Sequence, residues 1–486
     1  MGLRNAFVKG VKWSLLQQVF TQLVNYVSIF WLAVLITPED FGKVALVVVL
    51  VGVFESINGF GVSQLIIRDN ITEPKIISTY FWFVFFLSIG LTLICLASGT
   101  LYSLIFSLEN PDEFDLLIVV SAISLVINGV NSVFNALYSR DLNFKSPSQY
   151  FVLSLFIGNV FAIWAGYMGL GFWALIIKNI FPVALLCICF LFTGHYKIHF
   201  YFNKVLIQNT WSFTSHFTYF NALNFLIRNL DYIVIGKFFD LATVGQYSIA
   251  YKIMIFPMKN ITSRIQAVLY PLLTKMKDDL KKVERTYTVI VSGIGYITFP
   301  LAVLIASLAF MWVPLFFNIE KYDKLIILVQ ILSVVGAVQA ITSPVMSLYL
   351  LSGKTRVLFY MGLVTALING IGFLIGGMSR DIYQFAFIYA AVQLVISIPL
   401  SNYIPFRLMD FDFMRFLKRI FIPFVASVGS YFIVIYFLPL ITIPLYLKIV
   451  LLGGIGLISY LLILLIISGT KLLDQVKQIK SMIIQK

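Results

Sequence analysis

The sequence predicts an all-α integral membrane protein with about 14 transmembrane helices. Its 486 residues are 60% hydrophobic and 12% charged, whereas soluble domains carry about 25% charged residues. Apolar runs long enough to cross a membrane as helices, about 18 residues or more, follow one another along the whole chain. No stretch between them is polar and long enough to form a separate soluble domain, so we expect a single membrane unit.

The predicted spans are runs bounded by charged residues or by clusters of proline and glycine. The first run is too long for a signal peptide, and no small-residue cleavage site follows it. The fourteen runs are residues 13–36, 44–67, 77–96, 116–138, 150–168, 174–193, 211–236, 244–272, 286–312, 325–351, 357–378, 384–404, 420–438 and 446–468.

The distribution of basic residues predicts the orientation of these spans. The loops on the side of the two termini hold 24 of the 35 lysines and arginines, and the loop before the fourth span, on the opposite side, is acidic. Lysine and arginine are enriched in cytoplasmic loops, so both termini are expected in the cytoplasm. This asymmetry explains most of the formal net charge of +14, and no nucleic-acid partner is expected.

Two cytoplasmic segments have an amphipathic pattern, residues 406–419 and the tail at 471–486. Such helices lie in the interface between lipid and water. We therefore expect both to lie on the inner leaflet; docking of a cytoplasmic partner is the alternative.

An internal repeat predicts two similar lobes. Trp13-Ser14 opens the first span and Trp211-Ser212 opens the seventh, and a glycine starts the next helix in each case, Gly42 and Gly245. Six spans separate the paired positions, which is typical of a parallel repeat in transporters. The predicted organisation is an N-terminal lobe at 1–205, a C-terminal lobe at 206–405, and two extra helices with an amphipathic tail at 406–486.

Polar side chains concentrate in the two spans that open the lobes. In the seventh span they recur at three- and four-residue intervals and share one helix face, and in the first span a neutral set has similar spacing. The two sets are Asn221, Asn224, Arg228 and Asp231, and Gln18, Gln22 and Asn25. Because polar groups are costly in lipid, we expect both faces to line a cavity between the lobes.

Charged residues within the spans predict the character of that cavity. Five are basic and two acidic: Lys178, Arg228, Lys252, Lys259 and Arg264 against Glu55 and Asp231. A cationic cavity attracts anions, and phosphate or pyrophosphate suits arginine and lysine. As alternatives, Lys178 and Arg264 reach the membrane surfaces, and Asp231 only neutralises Arg228.

Sequence motifs of catalysis are missing. The chain contains no phosphate-binding Walker loop, HExxH zinc motif, paired-cysteine metal site or nucleophile elbow. The external loops are also shorter than the platform expected of a membrane glycan polymerase or ligase. We therefore expect a protein that is not an enzyme and that holds no cofactor or metal.

Four segments carry a resemblance to a known family. They are TPEDFG at 37–42, NLDYIVIG at 229–236, GQYSIAY at 245–251 and YPL at 270–272. With them the chain resembles polysaccharide transporters of the Wzx type, the O-antigen and exopolysaccharide flippases, whose superfamily also contains multidrug exporters and the lipid II flippase. The likeness extends over nearly the whole chain.

The resemblance implies two six-helix lobes around a central cavity, with two further C-terminal helices. It implies a cargo as well, an oligosaccharide repeat unit on undecaprenyl pyrophosphate that moves from the cytoplasmic to the periplasmic leaflet. The cationic lumen of such flippases would map to Arg228, Lys252 and Arg264. The first helix lacks the charged cluster of the lipid II flippase, which argues against a peptidoglycan precursor as cargo.

The predicted function is thus flipping of a lipid-linked oligosaccharide by alternating access, for O-antigen, capsule or exopolysaccharide. A proton or sodium gradient is the expected energy source, with Asp231 or Glu55 as the coupling carboxylate. Expected partners are membrane lipids and a polysaccharide polymerase and chain-length regulator in the same membrane. The alternatives are a cation-coupled multidrug exporter, which the excess of positive charge disfavours, and a membrane glycan polymerase or ligase.

Overall fold

The structure is a computed structural model that describes residues 3–59, 61–106, 111–193 and 196–468. Over these ranges the chain forms helices joined by turns and short loops, without any strand, which confirms the predicted all-α class. The chain separates into two compact units, Met1–Gly245 and Gln246–Lys486. The predicted tail at 471–486 lies outside the described residues.

The first unit contains nine complete helices among its described residues. They are α1 (Leu3–Leu35), α2 (Pro38–Ile57), α3 (Val62–Arg68), α4 (Pro74–Phe106), α5 (Pro111–Arg140), α6 (Lys145–Tyr167), α7 (Phe172–Phe192), α8 (Lys204–Arg228) and α9 (Leu230–Phe238). The next helix, α10 (Leu241–Pro257), begins in the first unit and ends in the second.

The second unit continues after α10 with ten further helices in its described part. They are α11 (Ser263–Thr274), α12 (Leu280–Ser307), α13 (Ala309–Phe316), α14 (Leu325–Thr342), α15 (Met346–Leu351), α16 (Thr355–Met378), α17 (Ile382–Val392), α18 (Ile398–Leu408), α19 (Phe413–Phe437) and α20 (Leu445–Ser468).

Eleven stretches of helix in the described ranges are long and apolar enough to cross a membrane, or up to 12 if a bent pair is counted as one span. This confirms a multi-pass membrane protein. The predicted seventh and eighth spans are helical but are not among them. The seventh is interrupted at Asn229, between α8 and α9, and the eighth by a π-helical turn at Met258–Thr262. Their polar side chains lower the hydropathy of both segments.

The second predicted span is bent rather than straight. Helices α2 and α3 meet at an angle of 41°. Gly59 and Gly61, between them, have φ angles of 79° and 68°, in the left-handed region that side chains with a Cβ disfavour. The two glycines thus allow the chain to leave α2 and resume as α3 inside the membrane region.

The TPEDFG segment is a helix start. Thr37 is the N-cap of α2, and its hydroxyl accepts a hydrogen bond from the backbone N–H of Asp40 at 3.3 Å. Pro38 occupies the first turn, where a missing N–H costs nothing, and Glu39 and Asp40 lie at the positive end of the helix dipole. This part of the family motif therefore has a structural role in beginning α2.

Gly42 and Gly245, the paired glycines of the repeat, lie against each other. A Cβ built on Gly42 would overlap the carbonyl oxygen of Leu241, and one built on Gly245 would overlap that of Pro38. The first turns of α2 and α10 therefore touch backbone to backbone, an approach that only glycine permits.

Lys43 joins three helices of the first unit. Its Nζ donates to the Glu113 carboxylate of α5 at 2.9 Å, lies 3.2 Å from Glu39 of its own helix, and stands over the Phe172 ring of α7. The residue is 8% exposed. The first turn of α5 is thus held to α2 by a buried lysine.

We expect Lys43→Met to lower the free energy of unfolding by about 2 kcal/mol, because hydrogen bonds to charged groups contribute roughly 1.5–3 kcal/mol each. The thermal unfolding midpoint in detergent measures this. Arg415→Met is the matched control: Arg415 lies 3.6 Å from Asp412 in an exposed pair, and such pairs contribute about 0–1 kcal/mol. Equal midpoints for the two variants would contradict the structural role of Lys43.

A network of hydrogen bonds holds the turn between α5 and α6. The Arg140 guanidinium donates to both carboxylate oxygens of Asp141 and to the Ile71 carbonyl. The Tyr196 hydroxyl donates to Asp141 at 2.5 Å. Burial, followed by this hydrogen bond, raises the pKa of Tyr196, so its proton is retained at physiological pH. The turn it holds borders the polar cavity described below.

Aromatic packing dominates one end of the second unit, where α12, α18 and α19 meet. Tyr287, Phe406 and Phe416 are buried there with ring centroids 4.7–6.0 Å apart. Residues 406–419 are therefore not one amphipathic helix: α18 ends at Leu408, α19 begins at Phe413, and Phe406 and Phe416 pack against Tyr287 of α12. The place of this segment on the inner leaflet stays a prediction.

Candidate functional site: a polar cavity in the first unit

A polar cavity of about 490 Å³ lies within the first unit, lined by α1, α2, α5, α6, α7 and the turns after α2 and α5. Carboxamides and hydroxyls supply most of its polar groups. Its lining comprises Ser14, Gln17, Glu55, Asn58, Asn128, Asn131, Ser132, Asn135, Ser139, Asn143, Phe144, Pro147, Ser148, Phe151, Pro182, Val183 and Leu186.

The inner wall is built where α2 ends. The Glu55 carboxylate accepts a hydrogen bond from the Asn128 amide of α5 at 2.7 Å. Asn58, the C-cap of α2, donates to the Leu125 carbonyl at 2.6 Å and accepts from the Ser88 hydroxyl at 2.7 Å. Non-helical backbone within a membrane is tolerated where it is covered by protein or lines a polar cavity, which explains the position of the bend between α2 and α3.

The floor of the cavity is formed by α5 and α7. Asn131, one turn after Asn128, donates to the Val183 carbonyl at 3.0 Å. That carbonyl follows Pro182, which lies inside α7. Gly158 of α6 packs against the Pro182 ring, at the distance where a Cβ would overlap it. The close packing of α6 on α7 therefore holds in place the part of α7 that lines the cavity.

The outer wall is a seam between α1 and α6. The Gln17 side-chain oxygen of α1 accepts a hydrogen bond from the Ser148 hydroxyl of α6 at 2.7 Å. Side-chain hydrogen bonds between membrane helices contribute about 0.6 kcal/mol on average. This hydrogen bond alone therefore holds α1 and α6 together only weakly.

The chemistry of the lining suits an uncharged, hydroxyl-rich ligand. Each carboxamide offers two donated hydrogens and an accepting oxygen, and each hydroxyl donates and accepts, which matches the hydroxyl groups of a sugar. Glu55 is the acidic group among the lining residues, and those residues include no lysine or arginine. The cavity of the first unit is therefore a neutral to weakly anionic surface.

Among the predicted site residues, Glu55 lines this cavity. Beside it lie three asparagines of the predicted fourth span, Asn128, Asn131 and Asn135. Gln18, Gln22 and Asn25 are half-buried on α1 and are not in its lining. Lys178 is half-buried on α7, outside the cavity.

The polar face predicted for the seventh span is divided between two helices. Asn221 and Asn224 are half-buried on α8, which ends at the exposed Arg228. Asp231, in the first turn of α9, is 2% exposed, and its Oδ1 accepts from the backbone N–H of Tyr232 at 2.9 Å. The interruption at Asn229 thus gives the two charges different surroundings.

The remaining basic candidates belong to the second unit. Lys252 is exposed on α10. The side chains of Lys259 and Arg264, in the π-helical turn and α11, lie outside what the structure describes. Their grouping with Arg228 and Lys178 around one cationic cavity stays a prediction.

Several polar cavity residues were not predicted from the sequence, among them Gln17, Asn143 and Ser148. A signal for Gln17 was present, since Ser14, Gln17 and Thr21 recur at helical spacing beside the Gln18 set. Two adjacent glutamines cannot both face one cavity, and the packing of α1 on α6 selects Gln17. Asn143 and Ser148 lie in and after a turn, where polar residues are ordinary.

Comparisons with known proteins agree with this fold. A family model described as "Polysaccharide biosynthesis protein" matches residues 31–324, well over half of the chain. Lipopolysaccharide biosynthesis protein WzxC of Escherichia coli (strain K12) is 24% identical over 438 residues, which cover 88% of this chain and 87% of that protein.

Two further likenesses concern transport proteins. Succinoglycan biosynthesis transport protein ExoT of Rhizobium meliloti (strain 1021) is 26% identical over 282 residues, or 56% of this chain and 55% of that protein. The solved structure of the lipid II flippase MurJ in an inward closed conformation superposes with a TM-score of 0.73 at 14% identity, covering 94% of this chain and 99% of that one. At such identity the superposition shows a common fold.

Proposed function

This chain belongs to the polysaccharide biosynthesis protein family of membrane transporters, and on that premise we propose that it is a flippase for lipid-linked oligosaccharides. The cargo is a repeat unit on undecaprenyl pyrophosphate, moved from the cytoplasmic to the periplasmic leaflet of the bacterial inner membrane. The names of WzxC and ExoT, a lipopolysaccharide biosynthesis protein and a succinoglycan transport protein, support a glycan cargo.

One observation carries the proposal: a cavity lined by carboxamides and hydroxyls among helices that are apolar enough to cross a membrane. Moving a polar group from water into an apolar medium without compensating hydrogen bonds costs several kcal/mol. An oligosaccharide therefore needs a polar path across the hydrocarbon core, and these groups supply hydrogen-bond partners for it.

The proposed mechanism is alternating access with fourteen spans and both termini in the cytoplasm. Two lobes rock between a cytoplasm-open and a periplasm-open state while the polyprenyl chain stays in lipid. Arg228, Lys252 and the other basic candidates would attract the pyrophosphate. A proton or sodium gradient would drive the cycle through Glu55 or Asp231, and a polymerase and a chain-length regulator would act on the exported units.

Deletion of the gene, followed by complementation, tests this function. We expect loss of surface glycan and accumulation of lipid-linked repeat units that a membrane-impermeant glycosidase reaches only after cells are opened, because the cargo remains in the cytoplasmic leaflet. The full-length chain should restore both. Lipid composition and glycan extent are measured by mass spectrometry and gel electrophoresis.

Other outcomes of the same deletion point to other functions. Single repeat units at the cell surface indicate a polymerase or ligase, because flipping would then be intact. Unchanged glycan with increased sensitivity to cationic drugs indicates a multidrug exporter. Either result would reject the proposed flippase function.

A further inference from the structure

A second, apolar cavity adjoins the polar one on the side of α1 and α6. It occupies about 650 Å³ and is lined by the facing sides of these two helices. Its apolar lining includes Leu16, Phe20, Leu23, Val152, Leu153 and Phe156, several of which are half or more exposed. We call it the α1–α6 groove.

The groove and the polar cavity share a wall. Gln17 and Ser148, which are hydrogen-bonded to each other, line both. On one side of this pair the lining consists of carboxamides, hydroxyls and Glu55, and on the other side it is aliphatic and aromatic. A ligand that spanned the seam would therefore have to be polar at one end and apolar at the other.

We propose that the α1–α6 groove binds the isoprenoid chain of a lipid-linked saccharide whose sugar occupies the polar cavity, with the Gln17–Ser148 pair at the crossing point. This inference rests on the proposed function and adds to it the protein surface against which the part of the tail next to the sugar packs, while the rest of the tail stays in the bilayer. An isoprenoid chain suits the groove because its contacts there are apolar and non-directional. The adjacent polar cavity favours this ligand over a membrane phospholipid, because its carboxamides and hydroxyls match the many hydroxyl groups of an oligosaccharide.

The seam can open without breaking an ion pair. Gln17 and Ser148 are neutral, and the part of the groove near them adds the Trp13 ring with Lys145 5.7 Å above it. Lys145, at the start of α6, thus lies beside Trp13 of the groove lining, and a lysine there suits a phosphate at the boundary between sugar and chain.

Photo-crosslinking in cells tests the occupant directly. The photoreactive residue p-benzoyl-phenylalanine is placed at Leu153 in the groove, which is 54% exposed, and for comparison at Leu93 of α4, which is 62% exposed and outside the groove. After irradiation, crosslinked protein is analysed by mass spectrometry for polyprenyl-linked saccharide and for phospholipid. Both variants are expressed in cells that also carry the parent gene, so that glycan export continues, and each is first confirmed to accumulate to the level of the parent protein.

We expect polyprenyl-linked saccharide on the Leu153 variant at least tenfold above the Leu93 variant, and phospholipid on both. Phospholipid alone at both positions, in cells that export glycan normally, would overturn the groove assignment and leave the proposed function standing. A failure of the function itself would be seen separately, as export that does not depend on this protein. The exposed positions chosen avoid disturbing the buried Ser148.

Discussion

Gly42→Ala and Gly245→Ala are each expected to abolish accumulation of folded protein. The added methyl group overlaps a backbone carbonyl oxygen, that of Leu241 or of Pro38, and a carbonyl inside a helix cannot rotate away. Overpacking of a tight core costs about 1–3 kcal/mol and occasionally more, and here the first turns of α2 and α10 must separate. Yield and monodispersity of the detergent-solubilised protein measure the effect.

The matched control is Gly90→Ala. Gly90 lies within α4, and a Cβ built there meets no atom within 4 Å. Alanine is a better helix former than glycine by about 1 kcal/mol, so this variant should fold at least as well as the parent. Normal yield from Gly42→Ala would show that the two helix starts do not touch as described.

Glu55→Ala is expected to reduce glycan export at least tenfold while protein level and monodispersity hold. Glu55 presents its carboxylate to the polar cavity and accepts a 2.7 Å hydrogen bond from Asn128. We expect the carboxylate also to accept a hydrogen bond from a sugar hydroxyl, and a hydrogen bond to a charged group contributes about 1.5–3 kcal/mol, which corresponds to a tenfold or larger change in binding. Surface glycan per molecule of protein is the measurement. Glu73→Ala, an exposed acid in the loop before α4, is the control and should export normally.

Glu55→Gln separates two roles of the carboxylate. Glutamine still accepts the hydrogen bond from Asn128 but carries no charge. Export close to that of the parent would mean that Glu55 binds sugar hydroxyls. Loss of export equal to that of Glu55→Ala would mean that the negative charge is required, as it would be for binding a coupling ion. Full export by the Glu55→Ala variant would show that Glu55 is not part of the functional site.

Much of the fold follows from local sequence. The apolar runs predict all-helical membrane structure because a spanning segment must satisfy its backbone hydrogen bonds internally, and the structure confirms this class. The TPEDFG segment predicts a helix start through the capping oxygen of Thr37 and the proline after it, and α2 begins there. The family was also identified correctly from short motifs, while the count of fourteen spans remains a prediction.

The pattern of apolar residues did not predict what the apolar face of a helix packs against. The segment at 406–419 has the pattern of a surface helix, yet Phe406 and Phe416 are buried against Tyr287. An apolar helix face predicts burial without identifying what buries it, since lipid and protein are equally apolar partners.

The sequence by itself determined that this chain crosses a membrane repeatedly, that a helix begins after Thr37, and that the Glu55 carboxylate needs a polar environment. Only the tertiary structure decided that Gln17 rather than Gln18 faces the cavity, that Gly42 and Gly245 touch, and that the chain interrupts its helix between Arg228 and Asp231. Local propensities and the cost of burying polar groups act on each segment alone, whereas these three choices depend on which helices pack together and at what distance.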